Sequence, residues 1–186
     1  MSTDPSSIGY TVPGMEGKDA ATVIDLLQDR LNALNDLALT LKHVHWNVVG
    51  PNFIAVHTML DPQVESVRAM VDDTAERIAT LGGSPTGTPG ALVSQRSWDD
   101  YSVGRADAIA HLGALDVVYT GVIGDHRAAI ARTEDPDPVT QDLLIAQSGE
   151  LEQFQWFVRA HLERSDGTLR SAGATTEEKA ATQASG

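Results

Sequence analysis

Apolar positions recur every three or four residues along four long stretches of this chain, and strand-like alternation is almost absent. In the first stretch, about Asp19 to Asn47, the residues Val23, Leu27, Leu31, Leu34, Leu37, Leu41 and Val44 make one stripe down a helix. Gly50-Pro51 ends it, because proline cannot continue the hydrogen-bond ladder. Asn52 then suits the N-cap of a second helix, about Phe53 to Leu81, which Gly82-Gly83 terminates. A third helix is predicted over about Val103 to Arg132, with Ile109, Leu112, Leu115, Tyr119, Ile123 and Ile130 inward. Asp135-Pro136-Asp137-Pro138 is a tight break. Asp137 as N-cap and Pro138 at the first helical position open a fourth helix. That helix carries Leu144, Leu151, Phe154, Val158 and Leu162 to about Glu163.

Four helices of this length, each with one apolar stripe and each about 40–45 Å long, predict an all-α four-helix bundle. A long link, about Ser84 to Ser102, joins the second and third helices. It suits a short helix of its own near Trp98-Asp99-Asp100-Tyr101, and it can carry the chain back along the bundle as in ferritin-like topologies. Pro62 is expected to kink the second helix. Residues 1–17 and 166–186 are rich in small and polar residues and read as a flexible arm and a flexible tail around a bundle spanning residues 18–165.

Composition narrows the function. The chain has 186 residues, enough for one real core, and no cysteine, which excludes disulfides, thiolate zinc sites and iron–sulfur clusters. Residues 1–17 carry no Lys or Arg and no apolar run, so they do not read as a secretory signal. No stretch approaches the roughly 20 apolar residues of a membrane span. A soluble, cytoplasmic protein is expected. The formal net charge of −13 disfavours nucleic acid and anionic lipid as partners and favours cations, though an acidic surface also serves solubility.

The second helix has a polar stripe. At about 100° per residue, His57, Asp61, Asp72 and Glu76 fall within about 100° of one another around the axis. His57/Asp61 and Asp72/Glu76 are i,i+4 pairs, able to converge on one ion. Imidazole with carboxylate suits iron, manganese or zinc better than calcium. Asp61 and Asp72 are eleven residues apart, about 16 Å along the axis, so one ion cannot touch both pairs of one chain. Two antiparallel copies of this helix, crossing near Ser66 and Val67, would bring His57 and Asp61 of one subunit to Asp72 and Glu76 of the other. His45, just before the Gly50-Pro51 turn, is placed to fold back beside His57. Either pair alone is more often a solvated surface feature, and taken together with the nearby histidines the spacing leaves a metal site and an acidic face both open.

The stretch from Lys42-His43-Val44-His45-Trp46-Asn47 through Gly50-Pro51-Asn52-Phe53, His57 and Asp61 to Asp72 and Glu76 closely resembles the Dps family, the mini-ferritins or DNA-binding proteins from starved cells. The resemblance extends to the helix plan and to Phe154-Gln155-Trp156-Phe157. It implies a ferritin-like fold assembled as a hollow homododecamer, with ferroxidase centres at two-fold interfaces. It also implies oxidation of Fe(II), preferably by hydrogen peroxide rather than dioxygen, and storage of ferric mineral. Two irons per centre are implied. Asp72 and Glu76 bind the first directly, His45 and His57 complete the site from the partner, and Asp61 helps hold the second. Trp46 quenches stray oxidising equivalents or packs the interface. Asp125 and Asp142 match acidic pore positions on the three-fold axes.

Many relatives bind DNA through basic tails, which this chain lacks. Arg170 and Lys179 face Asp166, Glu177 and Glu178 in the C-terminal stretch. Strong DNA binding is therefore not expected. The competing readings are a metal-dependent hydrolase using the same site, a DNA-compacting protein, and a classical ferritin, which would need Glu-x-x-His pairs that the sequence lacks. His43, His111, His126 and His161 read as surface or interface residues.

Overall fold

A computed structural model describes residues 3–186; of the expected N-terminal arm, Met1 and Ser2 lie outside the described residues. Along the chain come a 3-10 turn (Pro5–Ser7), α1 (Gly17–Asn47), the two-residue strand β1 (Val48–Val49), α2 (Phe53–Thr80), α3 (Pro89–Gln95), the strand β2 (Ala106–Asp107), α4 (Ala108–Thr133), α5 (Pro138–Leu162) and α6 (Glu177–Ser185). The seven stripe residues of α1, Val23 to Val44, are all buried. α2 runs through Pro62 and turns Val56, Leu60, Val64, Val67, Met70 and Ile78 inward. Leu112, Leu115 and Tyr119 of α4 and Leu151, Phe154 and Val158 of α5 close one end of the core; Leu27, Leu31, Ile78 and Leu144 close the other.

The path between α2 and α4 sets the topology. β1 and β2 pair in parallel, Val48 with Ala106 and Val49 with Asp107. β1 follows the end of α1 and β2 precedes α4, so α4 starts where α1 finishes. α2 has carried the chain to the far end, and the link returns along α1. Its bonds climb that helix in order. Gln28 holds Thr86, Asn32 holds Gln95, Asp36 holds Arg96 and Trp98, and His43 meets the carbonyl of Val103. α1 and α5 thus run one way, α2 and α4 the other.

Several expectations are corrected. The link's helix lies at Pro89–Gln95, with Thr88 as N-cap and Pro89 in its first turn, not at Trp98–Tyr101. α4 begins at Ala108 rather than Val103, because the preceding residues pair with β1. The C-terminal stretch is not a free tail. Its α6 buries Ala180, Ala181 and Ala184 against α4, and a side chain at Gly113 would come within 2.6 Å of the Ala180 carbonyl. Ser102 donates from both its backbone N–H and its hydroxyl to Glu177, fixing the start of α6. The described part of the N-terminal arm also packs: Ile8, Val12 and Met15 lie on the core, and Thr3 bonds Asp25.

His111 and His126 are fully buried, not superficial. Burial, and then the nearby Arg30 charge, push the His126 imidazole down to about 4. Asp137 stands at the expected N-cap position of α5, but its carboxylate goes to Arg77 of α2 and to the Thr140 hydroxyl instead of capping the backbone. Burial works to raise its pKa, but these bonds outweigh it and hold the group below the ordinary value. The ion pair ties α5 to the last turn of α2. Among the described residues no helix is long and apolar enough to cross a membrane.

Candidate metal centre

The turn between α1 and α2 brings His45 against His57. Gly50 makes that turn with φ +94°, a conformation that favours glycine, and a Cβ there would meet the Asp107 carboxylate at 2.7 Å. The two imidazoles stack with centroids 3.6 Å apart and planes 25° apart. Their bonding is reciprocal. Nδ1–H of His45 donates to the carbonyl of His57 at 3.0 Å, and Nδ1–H of His57 donates to the carbonyl of His45 at 2.9 Å. A carbonyl only accepts, so both rings carry the proton on Nδ1. Each Nε2 keeps its lone pair, the tautomer a metal requires.

Asp61 completes the cluster. Its Oδ1 lies 3.3 Å from Nδ1 of His45, and donor atoms of His45, His57 and Asp61 all fall within 4.8 Å of one another. Lys42 donates to the same Oδ1 at 3.2 Å, and its ammonium stands 5.9 Å from the centroid of Trp46. The Lys42 bond is the main reason the Asp61 carboxyl titrates below its usual range. Asp61 remains 49% exposed, so one carboxylate edge is open to a ligand. Phe53 packs on the outer face of His57 with centroids 4.9 Å apart.

Asp72 and Glu76 are not brought to this cluster. Both are exposed on the later turns of α2, and among the described residues neither side chain forms a hydrogen bond or ion pair. Val67, at the midpoint of the two pairs, points into the core, so a helix crossing there would be made by its exposed neighbours such as Glu65 and Ala69. Trp46 is 71% exposed, and Ile54 and Leu39 are each 62% exposed near the same corner. Large apolar side chains grouped beside a metal-ligating cluster are an interface signal. Asp125 makes a 3.5 Å ion pair with Arg30 and is otherwise open; Asp142 is exposed.

Sequence reasoning did not assign Lys42 and Phe53 to this cluster. Both were discoverable by spacing: Lys42 precedes His45 by three residues, and Phe53 precedes His57 by four, so each lies on its neighbour's helix face.

A sequence profile for the ferritin-like domain matches residues 24–167. The DNA protection during starvation protein of Mycolicibacterium smegmatis is 63% identical over 175 residues, covering 94% of this chain and 96% of that relative. The fine tangled pili major subunit of Haemophilus ducreyi is 49% identical over 160 residues, covering 86% of this chain and 85% of that relative. The solved structure of DpsA14 from Streptomyces coelicolor superposes with a TM-score of 0.87 at 67% identity, covering 88% of this chain and 97% of its own.

Proposed function

From the premise that this chain belongs to the ferritin-like family, and within it to the Dps mini-ferritins, we propose that it is an iron-storage cage whose ferroxidase centres form between subunits. The observation that carries this reading is the reciprocal His45–His57 pair, which leaves both Nε2 lone pairs free, with Asp61 alongside so that ligand atoms of all three residues fall within 4.8 Å of one another. Iron(II) is the substrate. Imidazole and carboxylate together suit a borderline ion that must be held as Fe(II) and tolerated as Fe(III).

The cluster in one chain is half a centre. Three donors on one side leave open coordination positions, and Asp72 and Glu76 offer four carboxylate oxygens with no partner among the described residues of their own chain. A two-fold partner laid antiparallel along α2 supplies the second half to the first, twice over by symmetry. Two ferrous ions side by side can deliver both electrons to one hydrogen peroxide. Two Fe(II) become two Fe(III), the O–O bond breaks, and two hydroxides leave without a free hydroxyl radical. A homododecamer collecting ferric mineral follows from the same reading, with twelve chains at −13 each drawing in cations. Asp125 and Asp142 are the proposed entry residues. The bundle at residues 18–165 carries the centre, and a cytoplasmic location fits the peroxide-scavenging role.

Protection of DNA by this chain is proposed to run through removal of iron and peroxide. The described arm residues up to 17 and the C-terminal stretch lack the basic clusters that neutralise phosphate. The deciding experiment follows Fe(II) oxidation by stoichiometric peroxide in wild type, His57→Ala and Asp72→Ala. Slowing in both variants supports the shared centre, and unchanged rates in both refute it.

A further inference from the structure

Behind the histidine pair, across α1, sits a second arrangement. Tyr101 of the link and His111 of α4 are joined by a 3.0 Å hydrogen bond between the phenol oxygen and Nδ1. Their rings lie 14° from parallel with centroids 6.1 Å apart. His111 is fully buried, and Tyr101 packs on the core. His43 sets its edge on the Tyr101 ring at 5.8 Å, while the backbone at Asn47 lies against His111. His43 and Asn47 flank His45 on α1, so about one helix diameter, roughly 10–12 Å, separates the pair from the metal-ligating cluster.

We propose that Tyr101 and His111 form a proton-coupled redox pair that captures single oxidising equivalents escaping the iron centre; the inference rests on the ferroxidase reading above. When only one ferrous ion meets peroxide, Fe(II) and H2O2 give Fe(III), hydroxide and a hydroxyl radical. Tyr101 supplies one electron, reducing that radical to hydroxide, and its phenol proton moves to Nδ1 of His111. The products are a neutral tyrosyl radical and an imidazolium. A second Fe(II) then gives its electron to the radical, the proton returns to oxygen, and the net change is one more Fe(III) and one hydroxide.

The other tyrosines show why this one is suited. The chain has three. Tyr119 is fully buried, but its hydroxyl donates to the amide oxygen of Gln63, which is too weak a base to take a proton. Tyr10 is 71% exposed and lies on the N-terminal arm. Among the described residues, Tyr101 is the one tyrosine of the three that faces an imidazole. Burial keeps the His111 ring neutral and so able to accept. Burial likewise holds the Tyr101 phenol protonated until it is oxidised.

The test uses the assembled full-length protein, loaded with less than one Fe(II) per centre, mixed with peroxide and freeze-quenched for electron paramagnetic resonance. Wild type should give a radical that narrows when the tyrosine rings are deuterated. Tyr101→Phe should lose it at least tenfold, Tyr119→Phe should keep it, and His111→Gln, which retains an acceptor but no base, should lose most of it. No tyrosyl signal in wild type, or an equal signal in Tyr101→Phe, overturns the proposal. Iron oxidation is followed in the same samples. Its absence would refute the ferroxidase reading alone, and the pair is then judged by one-electron photo-oxidation with a ruthenium polypyridyl. There, a radical formed equally in wild type and Tyr101→Phe overturns it, and loss in the variant supports it.

Discussion

Asp61, near the start of α2, is held by Lys42 and lies against His45, whereas Asp72 and Glu76, three turns further along, stand in solvent with no side-chain partner among the described residues. The same helix thus carries a pre-organised half and an unengaged half. The first is built by the chain itself: the Gly50 turn folds α1 onto α2 and locks two imidazoles by each other's carbonyls. The second has no such scaffold. Carboxylates left unengaged at one end of α2, with Ile54 and Trp46 exposed at the other, leave both ends of this face open to another surface. On the proposed reading, the difference means that the centre would depend on assembly as much as on folding.

The largest expected effect comes from removing a donor from either half. His57→Ala and Asp72→Ala should each slow peroxide-driven iron oxidation by about 100-fold or more, since even outer-shell changes at metal sites cost about 10–100-fold. A slow His57→Ala beside a normal Asp72→Ala would break the comparison, because it would place the whole centre at the pre-organised end. Next, Ile54→Glu puts a charge on the exposed apolar corner without touching a ligand. It should shift the large assembly to small species in size-exclusion chromatography and reduce oxidation about tenfold or more, with helix content unchanged.

Lys42→Met sharpens the comparison from the other side. It frees Asp61 from its ammonium, making the pre-organised half resemble the open one. Titration with a redox-inert divalent ion should show several-fold tighter binding of the second ion of each centre, the one Asp61 is proposed to help hold, as a competing cation is removed. The smallest effect on chemistry is expected from Gly113→Leu, which overpacks the α4–α6 contact. It should release the C-terminal segment to protease and cost about 1–3 kcal/mol of stability, while oxidation stays within about twofold of wild type.

Much of this was legible from residues. The α1 stripe from Val23 to Val44 gave the helix and its buried face, because seven apolar residues at helical spacing leave no other solution. His57, Asp61, Asp72 and Glu76 could be placed on α2, and their 16 Å separation followed from helical rise alone, about 1.5 Å per residue. What escaped was tertiary or too short to have a period. The β1–β2 pairing is two residues long and offers no alternation. α6 looked like a polar tail because its buried side chains are alanines, whose burial depends on Gly113 some seventy residues earlier. His111 and His126 looked superficial because histidine carries no fixed preference, and only their buried neighbours make them interior.

The central claim is that the half-sites belong to different subunits, and subunit complementation tests it most directly. One variant loses His45 and His57, the other loses Asp72 and Glu76, and each alone should be inactive. Co-assembled at equal ratio, half of the two-fold pairs are mixed, and each mixed pair holds one intact centre and one that keeps only Asp61. Iron oxidation should therefore return to about one quarter of wild type. A mixture that assembles normally and stays as inactive as its parents would contradict the account.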